Sequence, residues 1–318
     1  MLRTRGSLAA TAVPRLVAAA ALMVVGCKEK GIHGDTGHNT MGLYAKGYNR
    51  IIESVPDLLE RYFQNTPEAG PTLETLTQNK SSLCSGIGIM ELYRKEVQDS
   101  FAEAKKSASK ELEQLGALAD ALWGASTEII SLSDDYCKYI AAEDFKDDKG
   151  AKAKEYHPKW LAAAEKYDAA RNKFSAELDK IEDAQITADI EKHEADKSYS
   201  YWFRQFNHEA KRFVDKVRAD QVNVSTHYSE LEPVYNGLTE FSQGKGSGIN
   251  STFKAYQSSA DRFFADVKKL NRAVADAKDD EGKKKAVEDK FDSLVSGYNG
   301  LVSMYNGLTS LESANALE

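Results

Sequence analysis

The sequence predicts an all-α protein, an elongated antiparallel bundle of about six or seven long helices. Three observations carry that prediction. Proline is scarce, at six in 318 residues, in a chain rich in Ala, Lys, Glu and Leu, all good helix formers. Large apolar residues recur at alternating steps of three and four, the spacing of one helix face. No stretch alternates apolar and polar residues for long enough to make a useful strand.

The chain opens on a segment outside that bundle. Arg3, Arg5 and Arg15 precede an unbroken apolar run from Leu16 to Val25, and no acidic residue occurs before Gly26. A basic start and an apolar middle make a secretory leader. As a helix the apolar run reaches only about 15 Å, about half a bilayer core, so cleavage is expected rather than spanning. Val24-Val25-Gly26-Cys27 then matches the lipobox of bacterial lipoproteins, in which the cysteine thiol is acylated. Residues 1–26 are expected to leave, with the acylated Cys27 holding the chain to a membrane through more than one acyl chain. Lys28 follows where Asp would signal inner-membrane retention, which favours the outer membrane, facing the periplasm.

Loss of the leader removes three of the 42 basic residues and none of the 49 acidic ones, leaving 39 against 49, a net of −10. That sign disfavours nucleic acid as a partner. Once Cys27 is acylated only Cys84 and Cys137 remain, in an oxidising compartment that permits a disulfide. Residues 27–40 are polar and carry Gly31, Gly34 and Gly37, so they read as a flexible tether ahead of a single domain from 41 to 318. His33, Asp35 and His38 fall on that tether, where a metal site would lack supporting contacts, so no metal is assigned.

From Met41 the stripe Tyr44, Tyr48, Ile51, Val55, Leu58 and Tyr62 marks a first helix, ended by Pro67, Gly70 and Pro71. A loop rich in Ser, Thr and Asn is expected to about Ser82. A second helix over about 85–106 and a third from Leu112 to about Glu143 flank the turn at Ser107-Ala108-Ser109. That turn puts Cys84 and Cys137 at similar height in an antiparallel hairpin, and a bridge or two buried thiols both remain open. The run Asp144 to Gly150 resembles an EF-hand loop but places Lys146 and Lys149 where an oxygen ligand and Gly are needed, so calcium is excluded.

No Gly or Pro occurs from 159 to 232, a span that as one helix would reach about 110 Å. A hidden turn is expected at 183–200. The stripe Tyr156, Trp160, Ala163, Tyr167 and Phe174 precedes it, and a second from Tyr199 to Leu238 follows, with Pro233 expected to kink or restart the helix. The loop at 243–250 offers Asn250 or Ser251 as a cap for the next helix. Asp279 to Lys283 turns the chain into a last stripe from Val287 to Leu308.

Tyrosine stands before asparagine at Tyr48-Asn49, Tyr235-Asn236, Tyr298-Asn299 and Tyr305-Asn306, and structural packing is the expected role of these pairs. The first and last helices, both carrying such pairs, are expected to pack together. The densest aromatic run is Tyr199 to His208. Core packing accounts for Tyr199, Phe203 and Phe206, whereas Tyr201, Trp202 and His208 are candidates for lining a groove that meets a peptide, glycan or lipid.

Three stretches resemble the YiiG-like bacterial lipoproteins, a family whose function is not established: Tyr44 to Arg50 (YAKGYNR), Asp144 to His157 (DFKDDKGAKAKEYH) and Tyr298 to Leu308 (YNGLVSMYNGL). Members of that family often carry two tyrosines where this chain has Tyr136 and Cys137. The resemblance implies no catalytic residue. Nor do the residues themselves: no His has Glu three positions before it, as a di-iron bundle would need, and neither a zincin motif nor a phosphate-binding glycine loop after a strand occurs. No cofactor is expected. The reading is a non-enzymatic interaction or scaffolding module for an envelope protein partner, with a groove binder of a small molecule, peptide or glycan as the alternative.

Overall fold

In the computed structural model, residues 36–84, 87–219, 223–246, 250–277, 280 and 283–313 are described. Cys27, the leader and the tether as far as residue 35 lie outside them. The described residues are all-α, with nine α-helices and no strand among them. Those helices are α1 Thr36–Gln64, α2 Leu73–Leu83, α3 Ile87–Ser107, α4 Glu113–Ala141, α5 Ala151–His193, α6 Tyr199–Ala219, α7 Val224–Lys245, α8 Ser251–Ala277 and α9 Lys284–Ser313.

Several starts and stops follow from local chemistry. Asn250 caps α8, its Oδ1 accepting from the backbone N–H groups of Thr252 at 2.9 Å and Phe253 at 3.3 Å. The break in the span without Gly or Pro falls between His193 and Tyr199, inside the interval expected. Three expectations need correction. Residues 36–40, read as tether, are the first turns of α1, where Thr40 is buried and its hydroxyl donates to Ser107 Oγ at 2.9 Å. Residues 73–83, read as loop, form α2, because Thr72 and Thr75 make a reciprocal capping box and Leu76 is buried. Pro233 does not restart a helix, the one of its two expected effects that is overturned: α6 stops at Ala219, α7 starts at Val224, and Pro233 lies within α7.

The described residues divide into two compact units, those up to Leu178 and those from Asp179 onward. In the first, α1 packs on α3 and α4. Its core joins Tyr44, Tyr48 and Phe101 to Phe174, with Tyr48 and Phe174 stacked at 5.2 Å. Gly47 makes room for Phe101: a Cβ there would lie 2.4 Å from the ring. In the second, α9 packs on α8 and α6. Phe203, Phe206, Tyr256, Phe263, Tyr298 and Tyr305 fill its core. The helix α5 contributes to both. Its first part supplies Trp160, Tyr167 and Phe174 to the first unit, and its last part supplies Glu182 and Ile186 to the second.

Candidate functional site

The last part of α5 sets Asp179, Glu182 and Asp183 at spacings of three and four, which places three carboxylates on one helix face. They meet Lys211 of α6. Its Nζ lies 2.8 Å from Glu182 Oε2, 3.0 Å from Asp179 Oδ1 and 3.4 Å from Asp183 Oδ1. The side chains of Lys211 and Glu182 are each only 9% exposed, so this ion pair has been taken out of water. Burial pushes the Glu182 carboxyl up from 4.5 to about 7 against the pull of Lys211. Burial opposes the charge on Lys211 too, but the carboxylates around it win and hold its ammonium above the usual lysine range.

Farther along α5 an open cleft of about 560 Å³ separates it from α6. On the α5 side it is lined by Asp183 and Glu191 with the small residues Ala184, Thr187 and Ala188 between them, and on the α6 side by His208 and Arg212. His208 is 8% exposed, and its Nδ1 is buried without a hydrogen-bond partner. Burial pushes its pKa down, which keeps the ring neutral near pH 7. Arg212 is engaged by Glu209 at 3.0 Å, whereas the Glu191 carboxylate has no partner among the described residues. The field of the cleft is therefore acidic, with a neutral imidazole in one wall. At another point on α6, Arg204 grips Glu312 of α9 with both guanidinium nitrogens, one at 2.9 Å, and reaches Asp189 at 4.0 Å.

Of the residues proposed for a groove, only His208 lines this cleft. Trp202 packs instead on α7, 6.2 Å from Phe241 and against Gly237, where a Cβ would lie 2.3 Å from the ring. Tyr201 stands edge-on to Trp202 at 5.1 Å and is half-buried. The rings are thus separated by helix geometry: consecutive residues point about 100° apart, so Trp202 turns toward α7 while His208 faces α5.

Cys84 and Cys137 form a disulfide in the first unit, with Cα atoms 5.5 Å apart, joining the segment between α2 and α3 to the end of α4. Beside it Tyr62 stacks on Trp160 at 4.4 Å and meets Tyr136 edge-on at 5.5 Å, and the Tyr62 hydroxyl lies 3.0 Å from His157 Nδ1. The Tyr-Asn pairs are divided between the units. Tyr48, Tyr298 and Tyr305 are buried, but their asparagines do not act alike: Asn49 is half-buried, Asn299 is exposed and Asn306 keeps its Oδ1 buried without a partner. Packing by the tyrosine ring is what the pairs share.

Sequence reasoning passed over Asp183, Glu191, Lys211 and Arg212. The run of carboxylates at 179, 182 and 183 was visible, but nothing in the sequence shows that Lys211 faces it. Among the described residues no group of three His, Cys, Asp or Glu is placed to hold a metal ion, and no helix is long and apolar enough to cross a membrane.

Comparison with known proteins matches residues 39–307 to a family model described as "Protein of unknown function (DUF3829)". The chain is also similar to "Uncharacterized protein YiiG" of Escherichia coli (strain K12), at 24% identity over 242 residues. That stretch covers 74% of this chain and 66% of YiiG, just under two thirds of the relative's length. No solved structure matches the chain.

Proposed function

The chain belongs to the DUF3829 family, and from its own sequence we propose that it is a lipid-anchored envelope protein whose helical units serve as a non-enzymatic interaction or scaffolding module. One observation carries the reading: Val24-Val25-Gly26-Cys27 closes a leader with three arginines and an apolar run too short to span a bilayer. Acylated Cys27 would hold the chain at the membrane, and Lys28 favours the outer membrane, facing the periplasm. The acidic mature chain, at a net of −10 after 39 basic residues are set against 49 acidic ones, argues for a protein partner in the envelope rather than nucleic acid.

The test is Cys27→Ser in cells fed an alkyne-tagged fatty acid. The wild type is expected in the membrane fraction, labelled and cleaved; the variant is expected unlabelled and uncleaved. A variant that is still processed and unchanged in fractionation contradicts the anchor.

The second reading, a binder of a small molecule in a helical groove, is favoured by the cleft between α5 and α6, where a neutral buried imidazole and an unpaired carboxylate line one open volume of about 560 Å³.

A further inference from the structure

We propose that the α5–α6 cleft binds a linear organic polyammonium ion of the polyamine type, an inference that deepens the ligand-binding reading. The charge of the cleft selects a cation. Asp183 and Glu191 line it, and Arg212, the cation among its lining residues, is half-exposed and paired with Glu209 at 3.0 Å. Lys211 lies alongside but is shared among Asp179, Glu182 and Asp183, so it leaves the carboxylates in excess.

The spacing selects a long ligand with charge at both ends. Asp183 and Glu191 stand eight residues apart on one helix, about 12 Å along its axis and about 80° apart around it, and both line the cleft. Between them Ala184, Thr187 and Ala188 present small side chains, which leaves a trough for methylene groups rather than a bulky ring. Spermidine spans that distance when extended, and putrescine about half of it.

His208 supplies the third element. It is 8% exposed, lines the cleft, and keeps Nδ1 without a partner. A neutral imidazole in the wall adds no opposing charge, and because Nδ1 is buried it is the other ring nitrogen that is left to accept from a secondary ammonium in the middle of the ligand. A divalent metal ion fits less well, because no group of three ligating side chains converges among the described residues.

Titration calorimetry on the full chain carrying Cys27→Ser tests this, with spermidine, putrescine, magnesium and the zwitterion glycylglycine at matched ionic strength. The expected result is one spermidine per chain, bound more tightly than putrescine and with no matching heat from magnesium. Asp183→Asn and Glu191→Gln should each weaken spermidine about fivefold, as an exposed ion pair allows. Arg212→Gln should strengthen it. Ala188→Trp, at an exposed position, should abolish binding by filling the trough. Spermidine heats no different from those of magnesium, or unchanged in the carboxylate variants, overturn the proposal. If glycylglycine binds, spermidine does not, and Ala188→Trp blocks it, the cleft is a ligand site and the polyammonium assignment is wrong. If none of the probes binds, the assignment falls, and the anchoring of Cys27 stands or falls separately on the fatty-acid label.

Discussion

Residues 36–178 and residues 179–313 are both helical packages around aromatic cores, and both use a glycine to seat a ring from a neighbouring helix, Phe101 on Gly47 and Trp202 on Gly237. They differ in what closes the seams around those cores. In the first unit, a disulfide and the stacked pair of Tyr62 and Trp160 lie together at the ends of α1, α4 and the start of α5. In the second, Lys211 faces Asp179, Glu182 and Asp183, and Arg204 grips Glu312. A single helix supplies both kinds of seam. The first part of α5 is an aromatic stripe, whereas its last part turns carboxylates to its neighbour. The periodicity of α5 makes the helix, but the chemistry carried on its face decides what its seam responds to: packing where Trp160 and Phe174 join the first unit, charge where Asp179, Glu182 and Asp183 meet Lys211 in the second.

The largest effect is expected from removing one partner of the buried pair. Lys211→Met leaves Glu182 in the interior without its counterion and should cost about 3–5 kcal/mol. Adding Glu182→Leu should restore most of that loss, because two apolar side chains fill the volume without the desolvation penalty of the pair. Urea denaturation of the single and double variants measures both. A single variant as stable as the wild type would mean that the pair contributes nothing to closing the second unit.

Opening the disulfide comes next. Cys84 and Cys137 close a loop of 53 residues in sequence, so replacing both with Ala should cost about 2–4 kcal/mol, mostly through the freedom returned to the unfolded chain. Thiol titration of the Cys27→Ser protein in denaturant without reductant checks the premise. No free thiol in a monomer is the expected result, and two per chain would contradict the bridge.

The smallest effect is the pH response, whose sign differs between the buried carboxyl of Glu182 and the groups His208 and Glu143. In the second unit burial raises Glu182 from 4.5 to about 7, so its contribution is full below about 4.5 and is lost as pH rises through about 7. His208 acts in the opposite sense: burial lowers its pKa, so its contribution is present above its ordinary 6.5 and lost as pH falls. In the first unit, hydrogen bonds and charge from Lys146 and Lys80 hold Glu143 down to about 2, giving a contribution present above 4.5 and lost as pH falls through about 2. Glu143 lies at the surface, where solvent and salt screen that effect. Glu182→Gln isolates the buried group. Its melting temperature should gain on the wild type between pH 5 and pH 7.5, in the window set by about 4.5 and about 7. An equal difference at both pH values would remove Glu182 as the source.

Much of the fold was legible because it rests on local pattern. Stripes such as Tyr44 to Tyr62 and Tyr256 to Leu270 mark buried faces, Asn250 announces its cap, and the turn at 107–109 sets Cys84 opposite Cys137. What stayed hidden depended on contacts between distant residues. The apolar stripe continues from α6 into α7, so nothing in its period marks the stop at Ala219, while Pro233 draws attention to a position that the helix absorbs. Among the residues of α2 whose burial is described only Leu76 is buried, and its best signal was the Thr72 and Thr75 pair rather than hydrophobicity. The division at Leu178 is silent because α5 keeps its helical period across it. The cleft was least legible of all. Tyr201 and Trp202 drew the eye as aromatics, but a site made of Asp183, Glu191 and His208 requires knowing which faces of α5 and α6 oppose each other.

Hydrogen–deuterium exchange, followed peptide by peptide, tests most directly whether the two units are closed by different chemistry. Two perturbations are compared with the untreated Cys27→Ser protein: reduction of the disulfide, and Lys211→Met. Reduction should speed exchange in peptides from 73–141 and leave 179–219 unchanged, whereas Lys211→Met should speed exchange in 179–219 and leave 73–141 unchanged. Equal acceleration of both regions by either perturbation would contradict the account.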